Sequence, residues 1–438
     1  MKTNLYRVFL LVFLFIEIAL SQAQVFTIDI DKSTSTKTKL QKQTARTEGA
    51  IPLVLPFWDD FSWSNTIPSD SLWENSNNVT ISAGNGINPP TYKVATFDGI
   101  KLNGAPYSTN FGDFESGNTD SLTSLPIDLS TLTATEKSTV YLSFFYQKQG
   151  NGELPDNEDG LRVEFLSISA TDTTWKTVIA PNIINGANVT DTAFHQVIQQ
   201  VTGEEYFHNQ FQFRIISTGR KTGSFDTWNI DYVYLNKGRN NTDISYPDRS
   251  INQPITSPFK NFTSIPITHF FSNSKITLDT TVEISVYNLE HKVNPLDGAV
   301  VTAQLESTVS YFDSSLQNRF NFIALDETIP EISQIFSPGF KTVWNKGFHD
   351  FSPLPITAES ARIDIKLYID SGDKISPEYD PFKPLDFFIN DTITTTYYLK
   401  DYYAYDDGTA EKGAGVNSAG NEIAYQFPFL GSIESSLI

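Results

Sequence analysis

Few residues of this sequence stand in patterns that perform catalysis. The five histidines are scattered, and none belongs to a His-Glu-x-x-His zinc motif; no Gly-x-Ser-x-Gly nucleophile turn occurs either. Glycoside cleavage needs two carboxylic acids held on either side of a sugar. The nearest fragment, Glu378-Tyr379-Asp380, lies in a loop flanked by prolines. We therefore predict a protein without enzymatic activity.

Two short acidic segments resemble metal loops only superficially. Asp156–Gly160 lacks the ligand spacing of a calcium-binding loop, and Asp370–Asp373 lacks it as well. Clustered acids without that spacing are typical of solvated turns. We interpret both segments as turns.

The tryptophans are candidates for ligand binding, because an exposed aromatic ring offers a flat face to a sugar at little cost in entropy. Most of the six lie beside apolar, glycine or proline residues, a setting typical of core packing. Trp73 and Trp175 have the least apolar neighbours. They are our candidates for an exposed ligand platform.

Composition narrows the class of protein further. The chain has 438 residues, a formal charge of −20 and no cysteine. The acidic balance argues against a nucleic-acid partner, whose phosphates need a basic surface. The missing cysteines exclude disulfides, thiol catalysis and cysteine-bound zinc.

The N-terminus has the pattern of a signal peptide, which predicts an exported protein. Lys2 and Arg7 precede an apolar run, and Ser21 and Ala23 supply small residues before a cleavage position, so we assign residues 1–23 to the signal. No later apolar stretch has the length of a membrane span. Export would place the chain in the periplasm, on the outer-membrane surface or outside the cell.

The rest of the chain is dominated by strand patterns. Apolar residues alternate with polar ones along several segments, such as 161–165, 211–215 and 363–369, which predicts half-buried antiparallel strands. We predict an all-β fold with the following divisions: a flexible leader at 24–50, a jelly-roll sandwich at 51–236, a linker at 237–260 and an immunoglobulin-like sandwich at 261–397.

We predict that residues 398–438 are the beginning of a third β domain. The part from Asp401 to Ile438 is too short to fold alone, because domains below ~40 residues usually need disulfides or metals. It either docks on its neighbour or belongs to a domain that the sequence leaves incomplete, and we favour the second interpretation.

Several motifs together resemble the N-terminal region of large exported proteins of Bacteroidetes, many of them cargo of the type IX secretion system. The motifs are Pro56–Ser62, Pro89–Gly99, Asp120–Ser130, Tyr141–Gln147 and Trp228–Leu235, with Tyr402–Glu411 further on. The resemblance implies a first domain similar to concanavalin or MAM jelly rolls. It departs from the family at the C-terminus, where no sorting domain is recognisable.

The resemblance also implies a metal. In jelly rolls of this type, acidic residues on adjacent first and last strands often hold a structural Ca²⁺. Asp59, Asp60 and Asp231 stand at the matching positions. Calcium takes six to eight oxygen ligands, so these carboxylates would need main-chain carbonyls beside them.

We therefore predict an exported surface or secreted protein that binds glycans or envelope proteins. Two alternatives remain open. The chain is either an accessory component of the type IX secretion or gliding apparatus, or the non-catalytic N-terminal part of a larger hydrolase.

Overall fold

The structure is a computed structural model. It describes residues 25–29, 51–75, 77–110, 115–279, 281–290, 301–313, 318–332, 341–346, 351–370, 385, 387–406, 412–416, 422–424, 426–428 and 430. The predicted signal peptide, most of the predicted leader, His291, His349 and Glu378–Asp380 lie outside these residues.

Strands dominate the described residues, as predicted. The strands are β1 (Val25–Asp29), β2 (Phe57–Asp59), β3 (Thr80–Ser82), β4 (Val94–Phe97), β5 (Ser116–Thr123), β6 (Tyr141–Lys148), β7 (Gly160–Ile168), β8 (Thr173–Asn185), β9 (His195–Gln200), β10 (Phe213–Arg220), β11 (Trp228–Asn236), β12 (Arg249–Ile251), β13 (Ser264–Pro266), β14 (Val282–Asn288), β15 (Val301–Phe312), β16 (Asn318–Ile332), β17 (Lys341–Lys346), β18 (Ser360–Asp370), β19 (Thr392–Lys400) and β20 (Lys412–Val416). The described residues also contain two α-helices, α1 (Ala134–Lys137) and α2 (Ile267–Thr277), and 3-10 turns at Glu204–Tyr206 and Phe387–Asn390.

The first sandwich is a jelly roll of two facing sheets. One sheet has the order β5-β10-β7-β8, and the other has the order β3-β4-β11-β6-β9, with β2 also paired to β11. Alternate residues of β7 and β10, including Leu161, Val163 and Ile215, point into the shared core. β11 is buried along its whole length because it lies in the middle of its sheet. The predicted strand alternation is confirmed here.

The second sandwich is immunoglobulin-like. Its sheets have the orders β12-β14-β17 and β13-β19-β18-β15-β16. In β18, Ile363, Ile365, Leu367 and Ile369 are buried, whereas the residues between them lie on the outer face. This period of two leaves a polar face of the five-stranded sheet available to solvent.

Helix α2 was not predicted from the sequence, which indicated an all-β fold. Ile267 and Phe270 are spaced one helical turn apart and both are buried. The helix is interrupted at Asn273, where the backbone leaves helical geometry. Isoleucine and phenylalanine favour strands, and the interruption shortens the helical repeat of apolar residues. The sequence of this segment therefore gives no clear helical signal.

The predicted linker at 237–260 is built into the fold. β12 lies within it and pairs with β14. Tyr246, Asp248 and Ser250 are buried. Asn252 donates a hydrogen bond to the carbonyl oxygen of Pro89 in the first sandwich at 2.8 Å. Residues 246–252 are therefore buried between the two sandwiches, whereas Lys237 and residues 240–242 of the same segment remain exposed to solvent.

Both ends of the described chain pair with other parts of it. β1, in the predicted leader, pairs antiparallel with β20. Tyr403 and Tyr405 pack against the core of the second sandwich. Among the described residues, no helix combines the length and the apolar character needed to cross a membrane.

Candidate functional site

Trp63 projects from the first sandwich because the turn after β2 is fixed by aspartate side chains. Asp59 accepts a hydrogen bond from the amide of Phe61 at 2.8 Å, and Asp60 accepts bonds from the amide and hydroxyl of Ser62 at 3.1 and 2.7 Å. Phe61 adopts a positive φ of 59° and is buried. The chain thus turns Phe61 inward and leaves Trp63 68% exposed.

The indole of Trp63 reaches the second sandwich. Its Nε1 donates a hydrogen bond to the carbonyl oxygen of Ile389, in the 3-10 turn before β19. The ring is therefore anchored at its nitrogen while much of its surface stays in solvent. An aromatic ring fixed in this way loses little further freedom when a ligand stacks on it.

Trp63 borders a cavity between the two sandwiches, which we call the interdomain cleft. Its volume is about 320 Å³. It is lined by Ser62, Trp63, Tyr92 and Lys93 from the first sandwich and by Ile251, Ile389, Asn390, Thr392, Ile393 and Thr394 from the second. Clefts of this size at domain interfaces are typical places for small ligands.

Lys93 provides the cation of the cleft. Its ammonium group donates to the carbonyl oxygen of Ser64 at 2.6 Å and lies 5.3 Å from the centre of the Tyr92 ring. Burial lowers the pKa of Lys93, and the nearby charge of Asp60 opposes that shift. The side chain is thus held in place along the first-sandwich wall.

Hydroxyl groups form much of the opposite wall. In β19, Thr392 and Thr394 are exposed, whereas Ile393 between them is buried. The cleft therefore combines an aromatic face with threonine hydroxyls, an amide and an ammonium group. Such a set can bind a ligand that has both apolar faces and many hydroxyl groups.

A buried polar cluster behind the cleft joins the two sandwiches. The amide nitrogen of Asn390 donates to Asp60 at 2.9 Å and to Asp248 at 3.1 Å. Asp248 also accepts a hydrogen bond from the hydroxyl of Tyr232 at 2.8 Å. Trp58 and Phe387 pack edge to face beside the cluster, with ring centres 5.5 Å apart. These contacts fix the second-sandwich wall against the first.

The three aspartates predicted to bind calcium are all buried, and donors of the protein occupy their oxygens. Asp59 accepts from the indole of Trp73 at 2.6 Å. Asp231 accepts from the amide and hydroxyl of Thr91 at 2.9 and 2.8 Å. Burial raises the pKa of Asp59 to about 7 and also raises those of Asp60 and Asp231. Calcium at these positions stays a prediction.

Three other aspartates have carboxylate oxygens that lie close to one another. Among the described residues, one oxygen from each of Asp156, Asp159 and Asp226 lies within 4.8 Å of the others, whereas the predicted trio forms no such group. Asp156 is exposed, but Asp159 and Asp226 are 9% and 4% exposed. The interpretation of 156–160 as a solvated turn is therefore wrong for Asp159. Its partner Asp226 is distant in sequence, so no spacing rule predicts the group.

The electrostatics of this acidic triad are unfavourable without a cation. Burial, together with the neighbouring carboxylates of Asp226 and Asp156, raises the pKa of Asp159 to about 7. Asp226 accepts hydrogen bonds from the amides of Arg220 and Asp156 at 2.7 and 3.1 Å. A divalent cation would relieve the repulsion between these carboxylates.

The prediction that Trp73 is an exposed ligand platform is wrong. We expected an exposed ring, but Trp73 is 1% exposed and packs edge to face on Phe57 at 5.0 Å. The polar neighbours in sequence, such as Glu74, do not determine where the indole points. Its nitrogen is satisfied by Asp59, which allows the polar atom of the ring to be buried.

Trp175 is half-buried on β8, at the edge of the first sandwich. The guanidinium group of Arg214 lies 4.2 Å from the centre of its ring, and Arg214 is itself paired with Glu164. Arg214 therefore already occupies part of the ring surface. Ligand binding by Trp175 stays a prediction.

Trp63 is the exposed tryptophan that the sequence analysis missed. Its neighbours Ser62 and Ser64 are polar, which is a weak signal of exposure, but Phe61 and Trp58 favoured a core interpretation. The cleft itself depends on Ile389, more than three hundred residues later, and local patterns cannot predict that contact.

No family model matches the chain, and no curated protein matches it. Among solved structures, the CBM22-1 xylan-binding domain of Xyn10C from Paenibacillus barcinonensis is 11% identical, with a TM-score of 0.24; the match covers 38% of this chain and 85% of that one. The CBM22-1–CBM22-2 tandem domain of the same protein is 8% identical, with a TM-score of 0.26, and covers 82% of this chain and 99% of that one.

A glycoside hydrolase is also similar. The Endo-D glycoside hydrolase domain from Streptococcus pneumoniae R6 is 8% identical, with a TM-score of 0.24, over 79% of this chain and 43% of that one. The first two similar structures are thus carbohydrate-binding modules and this third one is an enzyme domain. At these identities and TM-scores, the similarity assigns no function to this chain.

Proposed function

We propose that this protein is an exported, non-enzymatic protein that binds a glycan in the interdomain cleft. The observation that carries the proposal is Trp63, an indole that is 68% exposed, anchored through its nitrogen and placed at the edge of the cleft. The signal-peptide pattern at residues 1–23 supports export.

The chemistry of the cleft fits a sugar. A pyranose has an apolar face that stacks on an indole and a rim of hydroxyl groups that exchange hydrogen bonds. Thr392 and Thr394 supply donors and acceptors, and Lys93 supplies a further donor. The buried contacts of Asn390 keep these groups in place before the ligand arrives, which lowers the cost of binding.

A glycan array tests this proposal. We expect the wild-type protein to bind a subset of glycans, Trp63→Ala to lose that binding and Trp63→Phe to keep part of it, because phenylalanine retains a ring but lacks the indole N–H. Trp175→Ala is the matched control on the first sandwich. Loss of binding in Trp175→Ala, with Trp63→Ala unchanged, would place the site on the sheet of the first sandwich that contains β8.

We also propose that a divalent cation, Ca²⁺ in particular, stabilises the fold without taking part in ligand binding. The acidic triad and the predicted positions Asp59, Asp60 and Asp231 are separate candidates for it. The close oxygens and the raised pKa of Asp159 support the triad.

A further inference from the structure

The interdomain cleft continues onto the outer face of the five-stranded sheet of the second sandwich. A second cavity of about 480 Å³, which we call the polar groove, lies across β19, β18, β15 and β16. Thr394 lines both the cleft and the groove. The two cavities therefore meet at this exposed side chain and form one path.

The strand register shows how the path runs. Thr394 of β19 lies opposite Lys366 of β18, and Lys366 lies opposite Glu306 of β15. Neighbouring strands are spaced about 4.8 Å apart, so the path from β19 to β16 adds about 14 Å to the cleft. A ligand that fills both cavities must be an extended chain.

Charges in the polar groove are balanced. Arg362 is paired with Asp364, at 2.7 Å between guanidinium nitrogen and carboxylate oxygen. Lys366 faces Glu306 across the strand pair. The groove therefore carries two positive and two negative side chains, and the protein as a whole carries a formal charge of −20. A polyanionic chain would meet no excess of positive charge here.

An aromatic residue lines each of the two cavities. Trp63 borders the cleft, and the half-buried Phe312 lines the polar groove where β15 ends. The other residues that line the polar groove have hydroxyl, amide or charged side chains. A glycan chain matches this pattern, because it presents hydroxyl groups along its length and apolar ring faces at intervals.

We infer that the ligand is an uncharged, linear polysaccharide that runs from Trp63 through the cleft, past Thr394, and along the polar groove. This inference rests on the proposed function, since it extends the same site. It assigns Lys366 and Glu306 to ligand contacts beyond the cleft.

The experiment measures affinity against chain length. Neutral linear oligosaccharides of graded length, from xylan, glucan, mannan and galactan, are titrated into the full chain alongside polygalacturonate fragments and sulfated oligosaccharides. We expect affinity for one neutral series to rise by about tenfold or more as the chain grows from the cleft into the groove. We also expect little change with salt, because the contacts are not ionic.

Lys366→Trp obstructs the groove at a position that is not part of the cleft lining, although it lies beside the shared residue Thr394. We expect this variant to bind short oligosaccharides as the wild type does and to lose the gain with length. Lys176→Trp, which makes the same change at an exposed strand position of the first sandwich, is the control and should keep the gain.

The outcomes separate the two proposals. A wild type that binds neutral oligosaccharides equally at all lengths, a Lys366→Trp variant that keeps the gain, or a preference for acidic chains would overturn the inference while leaving the cleft proposal standing. Absence of binding to every oligosaccharide, or binding that Trp63→Ala leaves intact, would overturn both.

Discussion

The side-chain amide of Asn390 in the second sandwich lies 2.9 Å from the carboxylate of Asp60 in the first. The same nitrogen reaches Asp248, so one amide serves two buried carboxyl groups. Asn390 also lines the interdomain cleft. A residue that joins the two sandwiches therefore also belongs to the wall of the proposed ligand site.

Asn390→Ala should destabilise the protein. The substitution removes one hydrogen-bond donor from each of two buried carboxyl groups, and loss of a buried partner costs ~2 kcal/mol. Chemical denaturation of the full chain measures the free energy of unfolding. Asn209→Ala, at an exposed position, should change it little, and equal stability of the two variants would contradict the role of Asn390 at the junction.

The acidic triad should make stability fall as pH rises when no divalent cation is present. An aspartate titrates near ~3.9 in an unfolded chain, whereas burial and neighbouring charges raise the pKa of Asp159 to about 7 in the folded protein. Between these values the folded state binds more protons than the unfolded state, so the stabilising effect of protonation is lost as pH rises toward 7.

Thermal melting in chelator across that pH window measures the effect. Asp159→Asn should flatten the dependence and raise the melting temperature above pH 7, because the neutral amide does not repel Asp226. Ser116→Ala removes a long contact of the same carboxylate at 3.5 Å and serves as a local control. A dependence on pH that is as steep in Asp159→Asn as in the wild type would be inconsistent with this assignment.

Calcium should raise the melting temperature of the wild type at neutral pH. A ligand that binds only the folded state at a hundredfold excess over its Kd stabilises it by ~2.7 kcal/mol. If the acidic triad binds the ion, Asp226→Asn loses the shift and Asp231→Asn keeps it. The reverse result would place the ion at the positions predicted from the sequence, and a wild type that shows no shift would reject both.

The sequence predicted the fold class because the relevant signal is local. Ile363, Ile365 and Ile369 alternate with polar residues, and burial follows the alternation. Helix α2 was missed because its strand-favouring residues and its interruption at Asn273 conceal the helical period.

The candidate site was less predictable, since it depends on contacts between distant residues. Trp73 was expected at the surface from its polar neighbours, but tertiary packing on Phe57 buries it. Trp63 was assigned to the core, but its hydrogen bond to Ile389 holds it at the cleft. Side-chain exposure in a turn is set by the path of the chain around it, which the neighbouring residues do not specify.

Calorimetric titration of the glycan selected by the array into wild type and Trp63→Ala tests the central claim most directly. Both proteins should unfold at similar temperatures, since Trp63 is an exposed side chain. We predict that Trp63→Ala weakens binding by about tenfold or more, equivalent to ~1.4 kcal/mol or more. An unchanged Kd in a folded Trp63→Ala protein would contradict the claim that a glycan binds in the interdomain cleft.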